Sequence, residues 1–279
     1  MFNIAAKLSG VEPGIYTELS NEAYHSGPGI SKSNLDAIHR SPAHFLASFD
    51  IHEEPTKALS MGTAVHTAVL EPERFKVDFV IPPSFNRRTK DGKTAAEEWE
   101  RENCGKTPIS VEDMAIVTAM RESVMNNPIA AKLVEMTQHE TSVFAKFDDV
   151  LCKCRPDGWQ KDKGILIDLK TTEDASPEGF AKACARYRYY VQDTFYRTVV
   201  SSLLNTDADK LSFVFVAVEK KPPFAVALYS LDDLAKLQGW VEIREDLRNF
   251  REAVESHQWR GYSPKIETLS LPRWAVASD

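Results

Sequence analysis

Leu151-Cys152-Lys153-Cys154-Arg155-Pro156-Asp157-Gly158-Trp159, followed closely by Gly164-Ile165-Leu166-Ile167-Asp168-Leu169-Lys170-Thr171-Thr172, is the stretch whose reading decides the fold. The second segment reads as a strand. Side chains alternate along a strand, so Ile165, Ile167 and Leu169 share one face while Leu166, Asp168 and Lys170 share the other. The first face is plain core surface. The second sets a carboxylate beside an ammonium, which packing alone does not require. Asp157 closes the preceding apolar-polar run, and Gly158 follows it as a turn signal. If the two runs pair across a turn at 161–164, Asp157 and Asp168 meet at one end of a sheet. Two carboxylates and a lysine there suit a hard divalent ion, a water made acidic beside it, and hydrolysis of a phosphodiester. A salt-bridged surface strand is the other reading of the same residues.

Working outward, the 279 residues make one large domain or a domain with an elaborated flank. A chain of this length buries about three quarters of its unfolded surface, so it needs no staples. Hydrophobic content of 43% and charged content of 27% are ordinary for a globular protein. No apolar run approaches the roughly 20 residues of a membrane span, and Met1 to Lys7 lack the basic and apolar regions of a secretory signal. Cys104, Cys152, Cys154 and Cys184 are spaced poorly for zinc or an iron-sulfur cluster. They read as free thiols of a reducing, cytoplasmic setting. The net charge of -7 has the wrong sign for a protein that coats nucleic acid, but an enzyme needs positive charge only along its substrate path.

Upstream, residues 10–28 are turn-rich and read as an irregular arm. Ser31 or Ser33 opens a helix, and Ser41-Pro42 opens another. A helix start with serine and lysine can hold a phosphate; ordinary capping is the alternative. Met61 to Glu71 reads as a buried helix, with His66 the single titratable group between Lys57 and Glu71. It is either a hydrogen-bonded core histidine or a metal ligand. Residues 81–94 read as a mobile basic loop in which Arg87, Arg88, Lys90 and Lys93 are candidate DNA-backbone contacts or solvated charges. An exposed helix at 97–102, a helix over 110–125 and a strand over 140–147 follow.

Downstream, a long helix is expected from 176 to about 204. Phe180, Ala183, Cys184, Tyr187, Val191, Phe195 and Val199 lie on its core face, and Arg188, Gln192 and Tyr196 share another. Arg186-Tyr187-Arg188-Tyr189-Tyr190 mixes cations and aromatics as single-strand paths do, making Arg186 and Arg188 candidate DNA contacts. Strands at 211–218 and 224–229 and a helix over 231–256 close the core, and an apolar tail through Leu269, Leu271 and Trp274 is expected to dock. The order predicts an α/β fold, a central mixed sheet flanked by helices.

Taken together, Glu12-Pro13-Gly14-Ile15-Tyr16, Gly27-Pro28-Gly29-Ile30-Ser31-Lys32-Ser33, Gly62-Thr63-Ala64-Val65-His66, Phe85-Asn86-Arg87-Arg88-Thr89, Cys154-Arg155-Pro156-Asp157, Asp168-Leu169-Lys170-Thr171-Thr172, Tyr187-Arg188-Tyr189, Val191-Gln192-Asp193 and Thr268 to Ala275 resemble the nuclease domain of RecE-type exonucleases. That family lies in the RecB-like and lambda-exonuclease-like branch of the PD-(D/E)XK superfamily. The stretches run in family order over nearly the whole chain. The resemblance implies a restriction-endonuclease-like core and a single nuclease domain over 1–279. Its parts are an N-terminal arm and helices at 1–58, the core at 59–256 and a docked tail at 257–279. It places His66, Asp157, Asp168 and the Leu169 carbonyl on metal-ligand positions, Lys170 on the catalytic lysine, and Gln192 and Tyr196 on the helix lining the site. Glu71 and Glu140 are further acids whose place in the site stays open.

The chemistry so implied is two-metal hydrolysis with ions about 4 Å apart, Mg²⁺ in the first instance and Mn²⁺ as substitute, since an imidazole ligand suits Mn²⁺ better. Lys170 would orient the water. The resemblance further implies 5′→3′ digestion of linear double-stranded DNA from its ends. The product would be a 3′ single strand for a RecT-type annealing protein, and the enzyme a homo-oligomeric ring, with a tetramer expected. A structure-specific endonuclease of the same fold, a non-catalytic DNA-binding module and a structural protein are the competing readings.

Overall fold

The computed structural model describes residues 10–50 and 57–271. In chain order come β1 (Gly14–Tyr16), α1 (Asn21–Ser26), α2 (Lys32–Arg40), α3 (Pro42–Ala47), α4 (Lys57–Leu70) and α5 (Pro72–Asp78). An excursion of β2 (Phe79–Val80), α6 (Lys90–Glu102) and β3 (Thr107–Pro108) leads to α7 (Val111–Asn126) and α8 (Pro128–Met136). The strands β4 (Gln138–His139), β5 (Ser142–Phe147), β6 (Val150–Cys154), β7 (Gly158–Gln160) and β8 (Ile165–Thr172) follow. The chain then runs through α9 (Pro177–Arg186), α10 (Tyr189–Leu204), β9 (Ser212–Glu219), β10 (Val226–Tyr229) and α11 (Asp233–Ser256).

The central sheet has the order β10-β9-β8-β7-β4. It is mixed, as expected: β8 and β9 run parallel, the other neighbours antiparallel. β8 divides two cores along the alternation read from its sequence. Ile167 and Leu169 pack into one with Val65, Val69, Val117, Met120, Leu133 and Val216. Leu166 packs into the other with Val191, Phe195, Val199, Phe213 and Phe215. A second sheet, β1-β5-β6, closes that core from the far side, with Cys152 and Cys154 both buried in it. α10 thus lies between two sheets, and nearly every residue from Val191 to Ser201 is buried. A helix buried on all sides can be apolar all round; its buried Asp193 and Arg197 pair with each other. No helix among the described residues is long and apolar enough to cross a membrane, and the four cysteines are free.

Four expectations need correction. The basic stretch 81–94 is not all loop: the Thr89 hydroxyl accepts the Gly92 N–H and starts α6, so Lys90 and Lys93 are helical. The expected long helix from 176 is two helices. Arg188 takes φ 53°, the left-handed region, and ends the run of i→i+4 bonds. Gly158 is not a turn residue but the first residue of β7, opposite Ile167. The tail docks only at its start. Trp259 stacks on Phe45 and meets Phe250 at a tilt, and Ala43 N–H donates to the Arg260 carbonyl, whereas Ile266, Leu269 and Leu271 are exposed. Trp274 lies outside the described residues.

Candidate active site

The chain leaves the second sheet at Cys154 and enters the central sheet at Gly158, so Arg155-Pro156-Asp157 crosses between them. Gly158 pairs with Ile167, and beyond that point β7 supplies no partner to the edge of β8. Asp157 fills this gap: its Oδ2 accepts the Leu169 N–H at 2.6 Å. The Leu169 carbonyl lies on the same edge, because the N–H and C=O of one strand residue point to the same side. Asp157 and Asp168 thereby come together at one end of the sheet, as the sequence suggested.

Each acid has its own cation. His66, carried by α4, donates from Nδ1 to the Gly62 carbonyl at 2.8 Å, which leaves Nε2 directed at Asp157 Oδ2, 3.2 Å away. Burial alone would lower the His66 pKa; the Asp157 charge and hydrogen bond, with the Gly62 carbonyl, overcome it and hold the ring at about 9. Burial would raise Asp157, but His66, Lys170 and the Leu169 N–H hold it below the usual carboxylate range. Lys170 Nζ sits 2.6 Å from Asp168 Oδ2. Burial opposes its charge, and the two aspartates outweigh that, so Lys170 stays firmly protonated. Asp168 is pushed up by burial and by Asp157, against the pull of Lys170. Gln192 Nε2 donates to Asp168 Oδ1 and fixes that carboxylate in the core.

These groups open into a cavity of about 480 Å³, lined also by Tyr196, Tyr189, Glu71, Glu140 and Arg155. Glu140 sits at φ 52°, 3.7 Å from Arg155, and burial with the Asp157 charge pushes it up to about 7. Glu71 faces Arg74 at 2.9 Å. Two features of this wall escaped the sequence reading. Arg155 is buried, donating to Ser142 Oγ and the Leu19 carbonyl and lying 4.5 Å over the Tyr24 ring. Tyr189 places its ring 4.8 Å from Lys170 Nζ. The adjoining Asp157 and the run of aromatics were the only signals in the sequence for either.

The donor set of this cavity fits a hard divalent ion: two carboxylates, an imidazole whose other nitrogen is anchored on a carbonyl, and a strand-edge carbonyl. Asp168 Oδ2 also fits. It is buried, and its partner is the Lys170 ammonium at 2.6 Å, which leaves the oxygen a lone pair for an ion. Among the described residues no three His, Cys, Asp or Glu side chains form a ready cage. An ion would therefore replace the pairings to His66 and Lys170 rather than enter beside them.

The expected DNA contacts are scattered. Ser31 caps α2, accepting the Asn34 N–H and donating to Asn34 Oδ1, which is the capping role; Ser33 is exposed. Arg87 pairs with Glu100 at 2.6 Å on the surface, and Arg88, Lys90 and Lys93 are exposed. Arg186 is exposed beside Tyr187. Arg188, the other expected contact, has its guanidinium engaged by Asp36, Glu242 and Asp246 at 2.8–2.9 Å, and the left-handed backbone is what delivers it there.

The fold is similar to a crystal structure from Eubacterium rectale of a protein described as a "putative exonuclease". The TM-score is 0.60 at 13% identity, over 92% of this chain and 96% of that chain, and shows the fold alone. SSO0001 covers 76% of this chain and 85% of its own at 14% identity, but a TM-score of 0.29 carries no argument. No curated protein matches the sequence. The family described as PDDEXK-like domain of unknown function (DUF3799) matches residues 31–272, a span holding His66, Asp157, Asp168, Lys170, Gln192 and Tyr196. With its α/β core and its paired aspartates and lysine at one strand end, the chain belongs to this PDDEXK-like family.

Proposed function

We propose that this protein is a metal-dependent exodeoxyribonuclease. It digests linear double-stranded DNA 5′→3′ and leaves 3′ single-stranded tails for a RecT-type annealing protein. The observation that carries the nuclease reading is the convergence of Asp157, Asp168, Lys170 and His66 in one cavity, with the Asp168 carboxylate buried beside the Lys170 ammonium. Polarity, tails, annealing partner, a cytoplasmic setting and a ring-shaped homo-oligomer, a tetramer, rest on the resemblance to RecE-type nucleases. The exposed Ile266, Leu269 and Leu271 are compatible with subunit contacts.

The residues divide the work. Asp157, Asp168, His66 Nε2 and the Leu169 carbonyl would hold Mg²⁺ or Mn²⁺. A divalent ion supplies Lewis-acid polarisation of a phosphoryl oxygen and a water acidic enough to ionise near neutral pH. Gln192 keeps Asp168 aimed into the cavity, and the Leu169 N–H does the same for Asp157. Lys170, held protonated, is a donor and not a base: it orients the water and offsets charge on the phosphate. Tyr196 closes one wall.

Linear duplexes labelled at the 5′ or the 3′ end, with closed circles as control and Mg²⁺ or Mn²⁺ present, test this reading. Early release of 5′ label and intact circles are expected. Asp168→Ala and Lys170→Ala each lose at least about 100-fold in turnover, the scale of one lost charged transition-state contact. Early loss of 3′ label overturns the polarity, linearised circles favour an endonuclease, and binding without cleavage leaves a DNA-binding module. A monomer mass by light scattering removes the ring.

A further inference from the structure

We propose that the exposed ring of Tyr187 is a stacking platform for an unpaired nucleobase of the substrate strand, at the mouth of the cavity beside Lys170. The proposal rests on the nuclease reading above and names a residue that selects the state of the DNA.

In an unbroken helix Tyr187 would join Cys184 and Val191 on the core face. The break between α9 and α10 turns it out instead, and half of its surface is exposed. A lone exposed aromatic needs no explanation. Three observations set this one apart. Its backbone is braced from both sides. Lys32 Nζ donates to the Tyr187 carbonyl at 2.6 Å, and the next residue, Arg188, is locked to Asp36, Glu242 and Asp246.

Its ring also ends a column. Phe215, fully buried, stacks on Tyr189 at 5.7 Å and 29°, and Tyr189 stacks on Tyr187 at 5.6 Å and 27°. The middle ring is the one lying 4.8 Å from Lys170 Nζ. The column thus starts in the core, passes the lysine of the site and ends in solvent.

Finally, Tyr187 lines a second cavity, of about 540 Å³, shared with Lys32, Ser33 and Arg186. Lys170, Tyr189, Gln192 and Tyr196 border this cavity and the first one alike, so the two adjoin. Arg186 places its guanidinium over the Tyr187 ring, 5.4 Å from its centre, so a base on that face would stack in place of the exposed arginine or share the ring with it.

Flat aromatic faces next to cations bind bases without reading their identity, because every base has a π-face. A base inside a duplex is already stacked on both sides, so only a frayed or unpaired base can extend the column. Tyr187 would therefore favour an opened strand next to the scissile phosphate.

The test uses the full-length protein with Mg²⁺ and duplexes in which one abasic nucleotide is moved stepwise from the end of either strand. At one position the wild type is expected to lose about ten-fold in kcat/KM, the scale of one stacked base. Tyr187→Ala should abolish that sensitivity, and Tyr187→Trp should keep it. Melting temperatures confirm that both variants fold. Wild-type cleavage with an abasic profile that Tyr187→Ala leaves unchanged overturns the platform and spares the nuclease reading. No cleavage of any duplex by the wild type overturns both.

Discussion

Gly158→Ala probes the joint on which the site depends. A methyl group at Gly158 would lie 2.7 Å from Ile167 Cγ1 and 2.8 Å from Thr137 Cβ, and closer still to Thr137 Oγ1. Neither neighbour can give way. Thr137 Oγ1 is tied to the Leu133 and Val134 carbonyls at 2.9 and 3.1 Å, and Ile167 is fully buried in the middle of the sheet. Overpacking of this kind costs about 1–3 kcal/mol. At about 2.1 cal/mol/K per residue, 279 residues give an unfolding entropy near 0.6 kcal/mol/K, so the melting temperature should fall by about 2–5 °C. The relief comes from moving β7, and Asp157 is the next residue. A displacement of about 1 Å at such a group costs on the order of 100-fold in turnover. Calorimetry and cleavage of end-labelled duplex, measured well below the melting point, check the two halves. Adding Thr137→Ala should return part of the lost stability, because the two positions are coupled. A Gly158→Ala protein that melts and cuts like the wild type would refute the account of how Asp157 is placed.

His66→Ala should weaken Mn²⁺ binding in calorimetry and lower activity together, with partial rescue at excess Mn²⁺; undiminished binding would make His66 a structural histidine. Arg188→Met removes the guanidinium shared by the buried Asp246 and by Glu242, leaving His39 on the first and Tyr190 and Gln238 on the second, and should destabilise by about 2–3 kcal/mol, read as a loss of roughly 3–5 °C in melting temperature. A melting temperature within a degree of wild type would show that His39, Tyr190 and Gln238 suffice for those carboxylates. Lys153 is buried and donates to the Tyr24 and Gly27 carbonyls, and burial followed by the Arg155 charge pushes it down to about 8. A folded pKa below the unfolded value penalises the charged form in full at neutral pH and relieves that penalty between pH 8 and about 10.4. Wild type should therefore gain stability relative to Lys153→Met across that window, and a constant gap in urea titrations would contradict the shift.

The alternation of β8 was legible because a strand has a period of two and each face of this one meets its own core. Asp168 and Lys170 came with it. The break at Arg188 was not legible: arginine is a good helix former, the apolar spacing continues through it, and the carboxylates that draw it out of the helix lie on α2 and α11. The start of α6 was hidden for the opposite reason. Asp91-Gly92 is a turn signal, yet Gly92 sits in the first helical turn, where a side chain would strike the Asn86 carbonyl. Arg155 and Glu140 carry no local pattern; each reaches the cavity because it lies where the chain passes between the two sheets, Glu140 from β4 to β5 and Arg155 from β6 to β7.

That crossing explains why the site lies where it does. β7 stops pairing after Ile167, which would leave the inward edge of β8 without a partner at Leu169. A buried N–H without an acceptor is costly, so some group must cap it. Asp157 supplies the cap, and a carboxylate drawn into that position must find positive charge, which His66 and Lys170 provide. The Asp157 carboxylate that completes the sheet is therefore the same one that makes the cavity attractive to a cation. Asp168 differs. Its backbone is satisfied by strand pairing, and its carboxylate is held by Gln192 and Lys170 against the push of burial and of Asp157. A fold that needed only stability would place an apolar side chain there, as it does at Leu166 two residues earlier on the same face. An acid kept buried at that position against its own electrostatics is best accounted for by what enters the cavity.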